Sequence, residues 1–305
     1  MEVAPDPSLP AAKGGIEVLL ADVGSIVVQE VPHLLRLFEV FAQEARFGRA
    51  WLDKSLRHVG RGEAILEIGG GMLLLSCQLA KEGYAVTALE PLSEGFSHFS
   101  ALQDIVMRYA QTRGIAPAIL QVPVEQLKAD SAFALVFSIN VMEHVGDVSA
   151  AMSNAVRALK PGAQYRFVCP NYLFPYESHF EIPTLFSKRL TGLLLGRWIR
   201  RSPKVVDAAG VWKSLNWITV PQVLRIARSL PGCTVRLDRA MFRVALERAV
   251  YDKEFSARRA PWVRLAAKVL VGLGLHRTTE LLPPHVQPII DCTMTRSPHI
   301  ACQAA

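Results

Sequence analysis

The chain of 305 residues is predicted to adopt an α/β fold, in which helices cover both faces of a doubly wound, mostly parallel sheet. Two observations support this prediction. Short apolar runs suited to strands alternate with longer amphipathic stretches suited to helices, and the first run, AILEI, leads into three consecutive glycines. A buried strand that stops at a glycine turn before a helix is typical of the first βα unit of such a sheet.

The N-terminal part of the chain is expected to lie outside the sheet. Residues 1–14 are rich in Pro, Ala and Gly, which predicts a disordered arm. Residues 31–58 have apolar side chains at helical spacing, and we interpret 15–60 as an N-terminal helical cap.

The remaining residues, 61–305, are interpreted as one domain with two insertions. The predicted strands lie near residues 64–68, 84–89, 118–122, 133–139, 164–169, 234–237 and 288–295. Helices are predicted near residues 72–82, 95–113, 148–159 and 220–230. The insertions run from about 170 to 219, after the fifth strand, and from about 241 to 286, after the sixth.

A nucleoside-cofactor site is predicted at the first glycine turn. Gly69, Gly70 and Gly71 allow the backbone to turn tightly and to approach a ligand closely. Glu90 follows the second strand, 19 residues after Gly71, where a carboxylate can accept hydrogen bonds from both hydroxyls of a ribose. An ordinary βα loop is the alternative interpretation of the glycines alone.

Further segments narrow the choice of cofactor. The acid and glycines of 67–71, Glu90, the strand FALVFSIN followed by VMEH, and the turn LKPG before the fifth strand resemble the class I S-adenosylmethionine-dependent methyltransferases. The chain is most similar to the small-molecule members of the ubiquinone-biosynthesis type, over about residues 60–172. This resemblance implies a seven-stranded, Rossmann-like methyltransferase fold with an antiparallel last strand, and S-adenosylmethionine as the cofactor.

The resemblance also implies roles for individual residues. Glu67 and the glycines 69–71 would contact the methionine end of the cofactor, and Glu90 its ribose. Asn140 would line the cofactor beside the transferring methyl group, with His144 just beyond it. His144 would then act as a base or contact the methyl acceptor, while a structural role is the alternative.

Two positions depart from the family pattern. Leu73 occupies a position that is often glycine, and Pro123 falls where an Asp for the adenine amino group is usual. Adenine recognition is therefore expected to involve backbone groups near Val124 or the side chain of Glu125.

The first insertion is the expected cover for the methyl acceptor. It begins PNYLFPYESHFEIP and offers aromatic rings and a candidate base, of which Tyr176 and His179 join His144 as candidate catalytic residues. The alternative is a proline-braced loop that packs its rings against the sheet. Direct displacement is the expected mechanism, and O-methylation of a small-molecule or lipid- or glycan-linked acceptor is favoured. The five cysteines show no paired metal-ligand spacing, so no metal site is predicted.

Two other function classes remain as alternatives. An NAD(P)-dependent reductase would share the glycine turn and the acid, but none of the six tyrosines has a lysine four residues later, as the common short-chain type requires. A non-catalytic protein that keeps the fold as a cofactor-binding scaffold is the other alternative, favoured by the altered adenine loop.

Charge divides the chain into two halves of opposite sign. Residues 1–150 contain 11 Lys and Arg against 18 Asp and Glu, a net of −7, whereas residues 151–305 contain 23 against 9, a net of +14. The stretches 190–201 and 260–275 combine Trp and Leu with Arg and Lys, which is suited to an anionic membrane interface. Packing of both stretches on the sheet is the alternative.

The cellular setting follows from what the sequence lacks. The N-terminus does not resemble a secretory signal, no uncharged apolar run is long enough to span a bilayer, and the cysteines are odd in number. We therefore expect a cytoplasmic protein, peripheral at the inner membrane face if the basic half binds lipid. Nucleic acid is not an expected partner, and the sequence leaves the oligomeric state open.

Overall fold

The computed structural model describes residues 15–91, 100–202, 205 and 207–298. The predicted disordered arm at 1–14 lies outside the described residues, as does the start of the helix predicted at 95–113.

A seven-stranded sheet forms the centre of the fold and confirms the predicted class. The strand order is β3-β2-β1-β4-β5-β7-β6, with β1 parallel to β2, β2 parallel to β3, and β7 antiparallel to both β5 and β6. The strands are β1 Ala64–Ile68, β2 Ala85–Leu89, β3 Ala118–Leu120, β4 Phe133–Ile139, β5 Leu159–Pro170, β6 Cys233–Asp238 and β7 Ile289–Arg296.

Helices precede the sheet, connect its strands and fill both insertions. Helices α6 and α7 lie in the first predicted insertion and α9 to α11 in the second, while α8 matches the helix predicted near 220–230. The helices are α1 Ile16–Glu30, α2 Leu35–Leu56, α3 Leu74–Lys81, α4 Ser100–Thr112, α5 Val148–Ala158, α6 Lys188–Arg200, α7 Ala208–Ser214, α8 Val220–Ser229, α9 Met241–Tyr251, α10 Lys253–Ala257 and α11 Pro261–Gly272.

The chain forms two compact units. The first covers the chain up to Val122 together with Phe133–Leu135, and the second covers Pro123–Ala132 and the chain from Val136 onwards. The glycine turn after β1 and the acid after β2 belong to the first unit. The segment after β4 and both insertions belong to the second.

Two further features concern the helices and the cysteines. Within the described ranges, every helix is too short or too polar to cross a membrane. Among the described residues, the cysteines Cys77, Cys169, Cys233 and Cys292 are free thiols.

Candidate active site

The turn between β1 and α3 is packed on one side and open on the other. Gly69 and Gly71 have φ angles of 74° and 52°, which glycine adopts without a side-chain penalty. The Gly69 N–H donates to the Leu89 carbonyl at 2.8 Å, which ties the turn to the end of β2. A Cβ at Gly70 would lie 2.8 Å from the Leu73 side chain, whereas one at Gly71 would meet no heavy atom within 4 Å. The turn therefore leaves room for a ligand beside Gly71.

Two carboxylates flank this turn. Glu90 Oε2 accepts a hydrogen bond from the Gly71 N–H at 2.8 Å, and Glu67 Oε2 accepts one from the Ser76 hydroxyl. Burial raises the pKa of Glu67 to about 8, and the charge of Glu90 adds to the rise while Ser76 opposes it. Burial also raises the pKa of Glu90, against the effect of the Gly71 hydrogen bond. Such a pair suits a ligand that brings a positive charge and hydroxyl donors.

Leu73, the first departure from the family pattern, keeps the backbone shape that a glycine would give. Its φ is 62°, in the left-handed region, and its N–H donates to the Gly70 carbonyl at 2.8 Å. This conformation costs a non-glycine residue roughly 1–2 kcal/mol. The Leu73 side chain is fully buried, so apolar packing offsets the strain.

The second departure lies in a short 3₁₀ turn that contains Val124 and Glu125. Glu125 Oε1 accepts hydrogen bonds from the Gly146 and Asp147 amides at 2.6 and 3.1 Å. The Asn154 side chain donates to the carbonyls of Val124 and Glu125 at 3.0 and 2.8 Å. This turn therefore braces the start of α5, and its contact with adenine stays a prediction.

Asn140 lies directly after β4 in an unusual conformation. Its φ is 54°, its N–H donates to the Val168 carbonyl at 2.8 Å, and its side chain is exposed. Asparagine tolerates the left-handed region better than most residues. The amide is thus available to a ligand, and its contact with the cofactor remains a prediction.

A turn that follows Asn140 is fixed by a side chain from the first insertion. The Asn216 side-chain amide donates to the carbonyls of Met142 and Val145 at 2.7 and 2.9 Å. The Asn216 N–H donates to the Glu143 carbonyl at 2.8 Å. These three bonds hold Glu143 and the next residue, His144, in place.

His144 and His179 meet edge to face in the second unit. Their ring centroids lie 5.4 Å apart at an interplanar angle of 74°, and both side chains are partly exposed. Burial lowers the pKa of His144 to about 4, with the charge of His179 adding to the effect. Burial also acts to lower the pKa of His179, but the hydrogen bond and charge of Glu177 outweigh it and raise that pKa. His144 is therefore neutral at pH 7, whereas the Glu177 carboxylate favours the protonated form of His179.

Glu177 orients His179 and part of the insertion around it. Its Oε1 accepts hydrogen bonds from His179 Nδ1 at 2.6 Å and from the His179 amide at 3.1 Å, and its Oε2 accepts one from the Phe180 amide at 2.7 Å. The Tyr172 hydroxyl donates to Oε1 at 3.3 Å. Burial acts to raise the pKa of Glu177, but these hydrogen bonds and the charge of His179 leave it lowered.

Aromatic rings of the insertion pack next to these residues. Tyr172 stacks on Trp217 at 4.4 Å between ring centroids, and Trp217 contacts Trp212 edge to face at 5.6 Å. Phe180 contacts Trp212 at 5.9 Å. These four rings form an aromatic cluster, and its contact with a methyl acceptor stays a prediction.

Part of the PNYLFPYESHFEIP segment nevertheless packs inward. Asn171, Tyr172, Glu177 and Phe180 are buried, and the Asn171 side chain donates to the carbonyls of His285 and Gln287 at 3.1 and 2.7 Å. The alternative of a proline-braced packing loop therefore describes these four residues. His179, which is partly exposed, remains available to an acceptor.

Tyr176 lies in a different environment from the histidine pair. Its ring contacts Trp262 edge to face at 5.8 Å, and burial raises the pKa of its hydroxyl against the opposing charge of Arg259. Its predicted catalytic role remains a prediction.

Sequence reasoning did not identify Glu143, Glu177, Ser214 or Asn216 as functional. Glu143 stands beside His144 in the sequence, and Glu177 stands two residues before His179, so adjacency was the available signal for both. Ser214 and Asn216 lie about 70 residues after the turn that they contact, and no sequence signal connected them to it.

Residues 66–167 match the family described as "Methyltransferase domain". With the sheet order and the glycine turn, this match identifies residues 66–167 as a class I S-adenosylmethionine-dependent methyltransferase domain. Over 277 residues the chain is 46% identical to the uncharacterized protein Rv1509 of Mycobacterium tuberculosis H37Rv, covering 91% of this chain and 94% of that protein. It therefore belongs to one family with that mycobacterial protein.

Two further comparisons are more distant. The chain is 35% identical over 121 residues to the ubiquinone biosynthesis O-methyltransferase of Paramagnetospirillum magneticum, which covers 40% of this chain and 45% of that enzyme. The geranyl diphosphate C-methyltransferase of Streptomyces coelicolor A3(2) superposes with a TM-score of 0.47 at 12% identity, covering 85% of this chain and 77% of that chain.

The cofactor is S-adenosylmethionine, as predicted, and the first unit fits it. Gly71 opens onto free space, the buried Glu67 suits the cationic methionine end, and Glu90 suits ribose hydroxyls.

Proposed function

We propose that this methyltransferase acts on a hydroxyl oxygen of an acceptor that docks at the histidine pair. The observation that supports this proposal is the placement of His144 and His179, both partly exposed, near the partly exposed rings of Trp212 and Trp217. Small-molecule sites combine apolar walls with a few oriented polar groups in this way.

The residues of the pair suit the chemistry of a hydroxyl acceptor. S-adenosylmethionine supplies an electrophilic methyl group when bound. A hydroxyl must lose its proton as its oxygen is methylated, and His144 presents a neutral imidazole at the site. Orientation of the acceptor is expected to contribute more than any one side chain, because alignment can supply roughly 7–11 kcal/mol of the barrier.

The test is transfer of a labelled methyl group from S-adenosylmethionine to a panel of phenols, sugars and lipid extracts. With an identified acceptor, we expect His144→Ala and His179→Ala to lower kcat by about 10²–10⁴-fold and to leave the affinity for S-adenosylhomocysteine unchanged. Tyr176→Phe is expected to lower turnover less. Loss of cofactor affinity or of folding in these variants would instead assign them a structural role.

We propose further that the acceptor is lipid-linked and is taken from an anionic membrane at the inner face. Helix α6 points Leu193 and Trp198 into solvent, at 80% and 67% exposure, and Phe186 before it is fully exposed. Helix α11 exposes Trp262 and Leu265, at 61% and 64%. Neither helix contains an acidic residue, and both carry Arg or Lys. Exposed apolar stripes with basic flanks favour an interface with anionic lipid.

Sedimentation with liposomes tests this second proposal independently of catalysis. We expect the protein to sediment with phosphatidylglycerol vesicles at low salt and to be released at high salt, with weak binding to phosphatidylcholine vesicles. Equal and salt-insensitive behaviour toward both vesicles would leave a water-soluble acceptor as the better assignment.

A non-catalytic cofactor-binding scaffold is the second candidate, and Glu125 favours it. That carboxylate braces the Gly146 and Asp147 amides, so the adenine loop has a structural task. A scaffold would bind S-adenosylmethionine but show no turnover with any acceptor in the panel, which separates the two candidates.

A further inference from the structure

A cluster of potential metal ligands consists of Glu143, His144 and His179. One potential ligand atom from each residue lies within 4.8 Å of the other two. Two of the residues follow β4 and the third comes from the first insertion. All three belong to the second unit.

The tautomer of His144 follows from its neighbour. The Ser214 hydroxyl donates its single proton to the Val211 carbonyl at 2.8 Å. Ser214 Oγ lies 2.8 Å from His144 Nδ1, and both hydrogen bonds form together in the tautomer that carries its proton on Nδ1. His144 Nε2 therefore has a free lone pair, and it lies 4.0 Å from a Glu143 oxygen.

The position of the proton on neutral His179 is likewise determined by a neighbour, the Glu177 carboxylate. Its Nδ1 is 2.6 Å from the Glu177 carboxylate, an acceptor that is buried and held by backbone amides. Nδ1–H is thus the donor, and Nε2 is the nitrogen left for a ligand when His179 is neutral. A carboxylate that holds the far nitrogen of a histidine is a common arrangement behind metal-ligating histidines.

Glu143 is the third member of the cluster, and no hydrogen bond from another residue stabilises its carboxylate. It is fully buried, and neither carboxylate oxygen has a hydrogen-bond partner from another residue. A buried carboxylate without a partner is costly unless a proton or a cation balances it. Its turn is fixed by Asn216, so it cannot move out to solvent without breaking those bonds.

We propose that Glu143, His144 and His179 bind a divalent transition metal. Two imidazole nitrogens and one carboxylate suit zinc, iron, cobalt or manganese better than magnesium or calcium, which prefer oxygen ligands. Metal–ligand bonds of roughly 2.0–2.2 Å require the three atoms to close on the ion by about 1 Å. The cysteine spacing gave no sign of such a site, because none of its ligands is a cysteine.

A metal held by three protein ligands keeps at least one position open to an incoming group. The role of that position rests on the proposed function, with His144 acting as a ligand in place of a base: a hydroxyl bound there would lose its proton to solvent more readily than a free one. Metal binding itself does not depend on methyl transfer, so the two can be tested separately.

The experiment is calorimetric titration of the untagged, chelator-treated protein with Zn²⁺, without cofactor or acceptor. We expect one Zn²⁺ per chain, with an affinity at least about 100-fold weaker in His144→Gln/His179→Gln and clearly weaker in Glu143→Gln. Glu177→Gln, which removes only the orienting carboxylate, should weaken binding by about 10–100-fold. The matched control is His33→Gln/His58→Gln, which replaces two exposed histidines of the first unit and should bind Zn²⁺ like the wild type.

Binding of S-adenosylhomocysteine serves as the folding check for each variant. If a variant fails it, the absorption spectrum of Co²⁺ bound to the wild type decides instead, because four-coordinate nitrogen and oxygen ligation gives intense visible bands. The proposal is overturned if the wild type binds Zn²⁺ no more tightly than the double variant, if Glu143→Gln binds it equally well, or if Co²⁺ shows only the spectrum of the hydrated ion.

Discussion

Glu67 is a buried carboxylate whose protonation should link stability to pH. Its folded pKa of about 8 exceeds the ordinary value of 4.5, so between these pH values the folded state holds a proton that the unfolded state has lost. The free energy of unfolding therefore falls as pH rises through this window. In Glu67→Gln we expect this fall to be smaller, and stability above pH 8 to exceed that of the wild type by on the order of 1–3 kcal/mol.

Urea titrations at several pH values, without cofactor, measure this effect. Glu39→Gln, at an exposed position, is the control and should follow the wild type. Glu67→Gln should also bind S-adenosylmethionine more weakly if Glu67 contacts the methionine end, as the family resemblance implies. A variant with unchanged pH dependence would show that Glu67 stays ionised in the folded protein.

Gly69 supplies a backbone conformation that a branched side chain adopts only under strain. At φ 74° we expect Gly69→Val to destabilise the fold by about 1–2 kcal/mol and to abolish measurable S-adenosylmethionine binding. Gly114→Val is the matched control, because Gly114 has a similar φ of 66° and open space around it. It should lose similar stability but keep cofactor affinity, as measured by calorimetry. Equal affinity in both variants would remove Gly69 from the site.

The sequence predicted features that are local along the chain better than contacts between distant segments. Glycines 69–71 and Glu90 were identifiable because strand, turn and acid follow each other closely along the chain. The contacts of His144 with Ser214 and His179 join segments that are far apart in sequence, so only the folded chain shows them.

Among the elements, β4 was predicted with its observed bounds because its apolar run, FALVFSI, is continuous and buried. β5 was predicted near 164–169 but begins at Leu159, since the LKPG segment read as a turn is part of the strand. Helix α1, Ile16–Glu30, was covered only by the broad expectation of a helical cap. Its Val and Gly residues weaken the helical pattern, and its helical form depends on burial of Leu19, Val23 and Val27.

A buried ion pair joins two neighbouring strands of the second unit. Arg166 on β5 donates to Asp291 on β7 at 2.9 and 3.2 Å, and both side chains are nearly buried. Removing one partner leaves the other charge buried, so we expect Arg166→Met to cost about 3–5 kcal/mol in unfolding free energy. Arg166→Met/Asp291→Leu should recover most of this loss. Urea midpoints measure both, and a double variant as unstable as the single one would contradict this account.

On the scale of the whole molecule, the two halves of opposite net charge contain different parts of the fold. The net of −7 falls on residues 1–150, which carry the cofactor turn, and the net of +14 falls on the half that carries both insertions. Helices α6 and α11 of that basic half expose apolar stripes, although the alternative of full packing was open from the sequence. Ala267 of α11 packs with Leu246 and Ala249 of α9, so that helix is buried on one side and exposed on the other.

The membrane proposal is tested most directly by replacing the exposed apolar residues of α6, Leu193 and Trp198, with acidic ones. Leu193→Glu/Trp198→Glu removes two exposed apolar groups and adds two negative charges, so we expect at least a tenfold loss of partitioning onto phosphatidylglycerol vesicles. Arg197→Gln/Arg200→Gln should lower it by about fivefold per residue, since each basic group contributes about 1 kcal/mol, and should flatten the salt dependence. Val18→Glu/Val28→Glu, at exposed apolar positions of α1 in the acidic half, is the matched control and should bind like the wild type. Equal losses in the control would mean that added negative charge, and not the α6 stripe, governs the interaction.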